Sequence, residues 1–404
     1  MTAERIAVLI VDDDPHFVEL LRSLLDTVHL RTPFDVHCVA SGDAALREIR
    51  RQPYQLVLLD NHLPGQDGLD VLQQLGGLPA SHQPAVIMLT AAGNEEVAVE
   101  AMKRGAKDYL SKLELSPPAL HRAITSALQQ RWLERQLQEK TEHLAADLRM
   151  AREVQLAFLP QTYPTFPATA TPAQSALQFS HRYLPSDAIG GDFFDVLALT
   201  DHAAGVLICD VAGHGLRAAL VTAILRGLVE ELRAEARDPG RFLGAINRGL
   251  REILRATKPP LFATAFYLVA DVARGELRYA TAGHPWPFHL PRATADLAIL
   301  GADHDGRGPA LGVLDDEIYR TLTCPLRTGD RILLYTDGLF EVEMADGQLY
   351  GEERLQAAVH QHRALPANQL LDQVVADVQA AALDHQFTDD VCVVGIEVAR
   401  LETQ

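Results

Sequence analysis

An apolar run that begins or ends on an aspartate recurs four times between residues 192 and 390, and nothing else constrains this chain as much. The run VLICDVAGHG (206–215) reaches Asp210 and turns through glycines; GGDFFD carries Asp192 and Asp195, LLYTDG carries Asp337, and FTDDV carries Asp389 and Asp390. Carboxylates gathered at strand ends repel one another unless cations intervene. Acids so far apart in sequence meet only if a fold brings the strand ends to one place. The pattern therefore asks for a layered domain with a common site, and an all-oxygen donor set asks for hard divalent metal ions.

The chemistry follows from those acids. Asp192, Asp210, Asp337 and Asp389 are placed to surround two Mg²⁺ or Mn²⁺ ions, and water held between two such ions is acidic enough for in-line attack on phosphorus. Gly213 and Gly338 permit close approach and sharp turns beside the acids. One Asp-Gly turn is ordinary loop punctuation; four on strand ends are not. His214 and His284 lie in the same segments, yet hard oxygen sites prefer carboxylates, so both are expected to shape loops. Around the acids, residues 216–236 and 239–257 read as amphipathic helices. Residues 262–283 read as two strands about an Arg-Gly turn, and RILLYTDG as a central strand. The expected fold is α+β, a layered β-sandwich flanked by helices.

Residues 1–120 carry a different rhythm. IAVLIV (6–11), VHCVA (36–40), QLVLLD (55–60), AVIMLT (85–90) and KDYLSK (107–112) alternate with helical stretches, which implies an α/β, doubly wound, five-stranded parallel sheet. Sites in such sheets lie at the carboxyl ends of the strands, where Asp12, Asp13, Asp60, Thr90 and Lys112 fall. Three clustered carboxylates favour a Mg²⁺ ion. Lys112 would neutralise an added phosphate, and Thr90 could donate a hydroxyl to it.

Between these parts, no glycine occurs from Ser116 to Leu159, and Leu137, Leu144, Ala151 and Phe158 recur every seven residues. The segment reads as one long helix, either paired as a short coiled coil or packed on its own chain. The expected division is 1–120, a helical linker over 121–159, and 160–404, with the Pro/Thr-rich stretch TYPTFPATATP opening the last part. A net charge of −18 argues against nucleic acid and anionic membrane as partners, and weakly favours a partner with some basic character. No apolar run reaches the ~18 residues needed to span a bilayer. Cys38, Cys209, Cys324 and Cys392 stand singly in apolar contexts, as in a reduced, cytoplasmic protein.

The residues of 1–120 resemble the receiver domain of two-component response regulators. The resemblance implies that Asp60 is the phosphoacceptor, that Asp12 and Asp13 hold Mg²⁺ with it, and that Thr90 and Tyr109 switch on phosphorylation by a cognate histidine kinase. LPGQDG (63–68) looks like the loop that follows the phosphoacceptor, whereas Leu113 stands where the family usually has proline. AREVQLAFLP, GGDFFD, DVAGHG, FATAFY, TAGHPWP, LLYTDGLFE and the Asp389–Asp390 pair resemble the SpoIIE-type, PPM-family serine/threonine protein phosphatases. That resemblance implies metal ligands Asp192, Asp210, the Val211 carbonyl, Asp337 and Asp389, with Asp195 and Asp390 of second rank and Trp286 gating access. Cys392 stands where that family often has threonine. The implied substrate is a phosphorylated anti-sigma-factor antagonist, and the implied assembly a homodimer joined through the helix. The alternative is a catalytically silent adaptor that binds signalling partners through a phosphatase-like domain.

Overall fold

The computed structural model describes residues 5–28, 32–79, 82–91, 95–213, 215–258, 260–292, 297–301 and 307–402. The chain forms two compact units, Met1–Ala145 and Ala146–Gln404.

In the first unit, strands β1 (Ile6–Val11), β2 (Phe34–Val39), β3 (Leu56–Asp60), β4 (Ala85–Thr90) and β5 (Asp108–Ser111) form a parallel sheet in the order β2-β1-β3-β4-β5. Side chains alternate between its faces. Leu9, Val11, Val57 and Leu59 pack on one side against α2 (Gly42–Arg51) and α3 (Gly68–Gly76). Val8, Ile10, Leu56 and Leu58 pack on the other against α1 (Pro15–Thr27) and the start of α5 (Pro117–Phe158). A fourth helix, α4 (Glu95–Lys103), precedes β5. Burial on both faces explains why the strands read as unbroken apolar runs rather than alternating ones.

Helix α5 is a single element of 42 residues, about 63 Å long at 1.5 Å per residue. Its first turns bury Leu120, Ala123, Ile124 and Ala127 in the first unit, while Phe158 packs on the core of the second. Leu133, Leu137 and Leu144 are exposed, Leu137 at 69%. The heptad stripe is therefore covered by its own chain only at its C-terminal end. Among the described residues, no helix is long and apolar enough to cross a membrane.

The second unit stacks two antiparallel sheets between helix pairs. Its strands are β6 (Leu177–Leu184), β7 (Asp192–Thr200), β8 (Ala203–Val211), β9 (Ala263–Asp271), β10 (Glu276–Ala282), β11 (Phe288–Leu290), β12 (Ala298–Ile299), β13 (Leu322–Pro325), β14 (Arg331–Tyr335) and β15 (Val391–Val398). One sheet runs β13-β10-β9-β8-β7, the other β12-β11-β14-β15-β6. Phe194, Ile208 and Phe266 of the first meet Ile332, Leu334, Val394 and Ile396 of the second in one core. Helices α6 (Leu216–Glu231) and α7 (Pro239–Leu254) add Leu225, Val229, Phe242 and Ile246 to it. Helices α8 (Gly351–Gln361) and α9 (Ala367–Ala381) pack Leu355, Val359, Leu371 and Val374 on Leu333, Tyr335, Val391 and Val393. This is the layered sandwich the sequence implies, with its acids at strand ends.

Candidate functional site

Strands β7 and β8 pair so that Asp192 stands directly opposite Asp210, and Asp210 opposite Thr264 on β9. Asp337 follows β14 in a single 3₁₀ turn, and Asp389 and Asp390 immediately precede β15, which pairs with β14. A hydrogen bond crosses from this second sheet to the first. The Thr336 hydroxyl donates to Asp192 Oδ2 at 2.7 Å and accepts from the Cys392 amide at 2.9 Å. Gly338 is required by close approach, because a Cβ there would sit 2.0 Å from the Asp390 carbonyl oxygen. Gly213, two residues past Val211, adopts φ +91°, a left-handed turn that glycine alone enters without strain.

The electrostatics show that these acids form one group. Burial holds the Asp192 carboxyl well above the ordinary range, and the charges of Asp210, Asp390 and Asp337 add to that against the Thr336 hydrogen bond. Burial also raises Asp210 to about 7, helped by Asp337, Asp389, Asp390 and Glu341. Asp337 rises to about 6 through burial and then Glu341 and Asp389. No basic side chain ranks among the dominant influences on Asp192, Asp210 and Asp337. That donor set fits hard divalent cations. Among the described residues no three of these acids bring their oxygens within 4.8 Å of one another.

The second-rank acids stand elsewhere. Asp195, three residues along β7 from Asp192, lies on the opposite face, where it pairs with Arg226 of α6 at 3.2 Å and accepts from the Val196 amide. Asp390 turns to the preceding loop and accepts from the Ser186 amide at 2.8 Å and from the Gly191 amide. Val211 lies beside Gly191, its amide donating to the Gly191 carbonyl. His284 is buried with Nδ1 at 2.8 Å from the Thr264 hydroxyl, and burial pushes its pKa down to about 3 against the pull of the Tyr335 carbonyl. Trp286 is half-buried and packs edge-on against Phe266 and Tyr279. Cys392 is fully buried in β15, and its backbone rather than its thiol meets Thr336. His214 lies outside the described residues.

Three further residues join the site without having been singled out as candidates. Thr336 orients Asp192, and Glu341 is a further carboxylate acting on Asp210 and Asp337. Gln155, near the end of α5, is only 6% exposed. Its Nε2 donates to the Gly190 carbonyl at 2.6 Å while its Oε1 accepts from the Gly190 amide at 3.0 Å. The Thr222 hydroxyl of α6 lies 3.3 Å from the same Nε2. The linker helix therefore clamps both backbone groups of a residue two positions before Asp192. The sequence signal was slight: Gln155 falls seven residues after Leu148, a polar side chain on an apolar stripe.

In the first unit the strand-end residues converge tightly. Asp12, Asp13 and Asp60 place carboxylate oxygens within 4.8 Å of one another. Lys112 Nζ lies 2.8 Å from both Asp12 and Asp60, and 4.5 Å from the centroid of the Phe17 ring. Burial raises the Asp60 carboxyl, with Asp12 adding to the effect and Lys112 opposing it. Burial works to lower the Lys112 pKa, but Asp12 and Asp60 together raise it. Leu113 is exposed and leaves Lys112 in reach of both acids. Thr90 is buried beside them, its carbonyl accepting from the Lys112 amide, whereas Tyr109 is exposed.

The family models agree with this geometry. The response regulator receiver domain matches residues 8–125, and Stage II sporulation protein E (SpoIIE) matches residues 200–399. The chain is a response-regulator receiver joined to a SpoIIE-family, PP2C-type phosphatase domain. The phosphoserine phosphatase RsbP of Bacillus subtilis is 26% identical over 225 residues, covering 55% of this chain and 52% of that protein. The phosphoserine phosphatase RsbU of the same organism is 24% identical over 249 residues, covering 62% of this chain and 69% of that protein. The chain thus spans about half the length of RsbP. The SiaA-PP2C domain of Pseudomonas aeruginosa, with a TM-score of 0.54 and 24% identity, covers 64% of this chain and 98% of that domain, and shares its fold.

Proposed function

We propose that this chain is a receiver-controlled, metal-dependent phosphatase of phosphoserine or phosphothreonine in a protein. The observation that carries the reading is the acid group itself. Burial raises the pKa of Asp192, Asp210 and Asp337 alike, and neighbouring carboxylates add to it: Asp210 and Asp337 on Asp192, Asp337 and Asp389 on Asp210, and Glu341 and Asp389 on Asp337. In this reading Asp192, Asp210, the Val211 carbonyl, Asp337 and Asp389 hold two Mn²⁺ or Mg²⁺ ions. When bound, such ions supply an acidified water and stabilise charge on the phosphoryl oxygens. Thr336 fixes the direction of the Asp192 carboxylate, and the close approach at Gly338 sets Asp337 against the Asp390 backbone.

The receiver triad of Asp12, Asp13 and Asp60 would take one Mg²⁺, with Asp60 accepting phosphate from a histidine kinase. Lys112 then neutralises charge that phosphate adds, roughly −1.5 to −2, while Thr90 and Tyr109 respond. Gln155 offers the route outward: a change in α5 reaches the Gly190–Gly191 turn and hence Asp192. Two copies paired along Leu133, Leu137 and Leu144 would cover the exposed stripe of that helix. The substrate in this reading is a phosphorylated anti-sigma-factor antagonist in a partner-switching pathway.

Mn²⁺-dependent hydrolysis of p-nitrophenyl phosphate tests the reading. The expected result is turnover in the wild type and a loss of about a hundredfold or more in Asp210→Ala, as removal of several kcal/mol of charge stabilisation requires. If neither p-nitrophenyl phosphate nor a phosphorylated antagonist protein is hydrolysed with any divalent metal, the silent adaptor replaces the enzyme.

A further inference from the structure

The charge of this chain is unevenly spread. Residues 217–258 hold nine basic and five acidic side chains, within a chain of net charge −18. Four of the basic side chains, Arg217, Arg248, Arg255 and Lys258, are exposed and make no ion pair among the described residues. They form a ridge. Arg248 and Arg255 are seven residues apart, on one face of α7 and its C-cap, and Arg217 at the start of α6 donates to the Lys258 carbonyl.

The ridge borders a cleft of about 570 Å³ between the end of α7 and the 312–316 loop. That loop is fixed. Buried Asn247 donates to the Leu314 carbonyl at 2.9 Å and accepts from the Gly312 amide at 2.7 Å. Arg251 bonds the Gly312 and Val313 carbonyls and pairs with Asp315. The cleft lining itself is balanced, Arg248, Arg251 and Arg255 against Glu252, Asp315 and Asp316, so the surplus positive charge is that of Arg217 and Lys258, which lie beyond the lining. Ile253, Val313 and Leu314 are exposed along its flanks.

Its position relative to the acids follows from strand register. Leu261, in the cleft wall, precedes Phe262, whose carbonyl accepts from the amide of Ala212, two residues past Asp210. Ala263 pairs with Val211. With strands ~4.8 Å apart and ~3.3 Å per residue along them, the cleft wall lies on the order of 10 Å from Asp210. An extended peptide covers that distance in about three residues.

We infer that this ridge and cleft dock an acidic segment of the phosphoprotein substrate, with carboxylates about three residues from the phosphorylated side chain. Guanidinium groups pair with carboxylates through parallel hydrogen bonds. The overall charge favours basic partners; the exposed cations of the ridge favour an acidic segment locally. The inference rests on the phosphatase reading for its substrate, yet binding can be read without turnover.

The test uses the full chain with three phosphoserine peptides, carrying Glu, Ala or Lys at the third and fourth positions after the phosphoserine. Peptide binding is followed by fluorescence anisotropy, with p-nitrophenyl phosphate turnover measured in parallel. The Glu peptide should bind about tenfold more tightly than the Ala peptide, a gain of the size two exposed ion pairs supply. Arg248→Glu/Arg255→Glu should abolish that gain and favour the Lys peptide, leaving p-nitrophenyl phosphate turnover unchanged. An equal affinity for all three peptides, or a Glu preference that survives the double reversal, would overturn the docking site. Absence of turnover together with an arginine-dependent Glu preference would uphold the docking site and remove only the enzyme.

Discussion

Asp210 stands opposite Asp192 across two paired strands, and its pKa of about 7 makes the metal-free domain sensitive to pH. An unfolded aspartate titrates near 4, so the folded state keeps its proton longer than the unfolded one. That contribution to stability is fully present below pH 4 and is lost as pH rises through 7. Asp337, raised to about 6, acts in the same direction. Without metal, the melting temperature of this domain should therefore fall between pH 5 and 8, with a shallower slope in Asp210→Asn. Added Mn²⁺ should raise it more at pH 8 than at pH 5, because protons compete for the same oxygens. Scanning fluorimetry across that range checks this; a pH-independent effect of Mn²⁺ would count against metal binding at these acids. Other residues were legible to different degrees. Asp195 sits three positions from Asp192 on a strand, and period-two alternation alone sends it to the other face. Thr336 gave no such signal, since its partner lies 144 residues away.

Helix α5 carries two roles that its sequence expresses unequally. Its length was legible because glycine is absent and proline occurs only at its start, and its stripe because leucines recur every seven residues. The clamp by Gln155 was not, because one polar side chain on a helix is ordinary until its partner is seen. Gln155→Leu leaves the buried amide and carbonyl of Gly190 without that side chain, at about 1–3 kcal/mol for each unsatisfied group. The expected outcome is a lower melting temperature and weaker Mn²⁺ affinity by calorimetry, whereas unchanged metal binding would leave the clamp a packing feature only. Farther up the helix, Leu137 and Leu144 are exposed. Leu137→Glu/Leu144→Glu should shift the chain from dimer to monomer in light scattering, with both units still folded. A wild type that is already monomeric would refute pairing through this stripe.

At the scale of the whole molecule, the strands of both units were legible because burial on two faces or at a sandwich core writes apolar runs into the sequence. The layer order was less so, since it depends on which helices each sheet face selects. Taking an off state of 1:99 to 99:1 requires about 5.5 kcal/mol of differential stabilisation. In the proposed reading, one phosphate on Asp60 and pairing of two copies would supply it. The decisive measurement is Mn²⁺-dependent p-nitrophenyl phosphate turnover with and without beryllofluoride, in the wild type and in Asp60→Asn. Beryllofluoride should change wild-type turnover severalfold or more and leave Asp60→Asn unmoved. Wild-type turnover that is indifferent to beryllofluoride would contradict control of this phosphatase by its receiver.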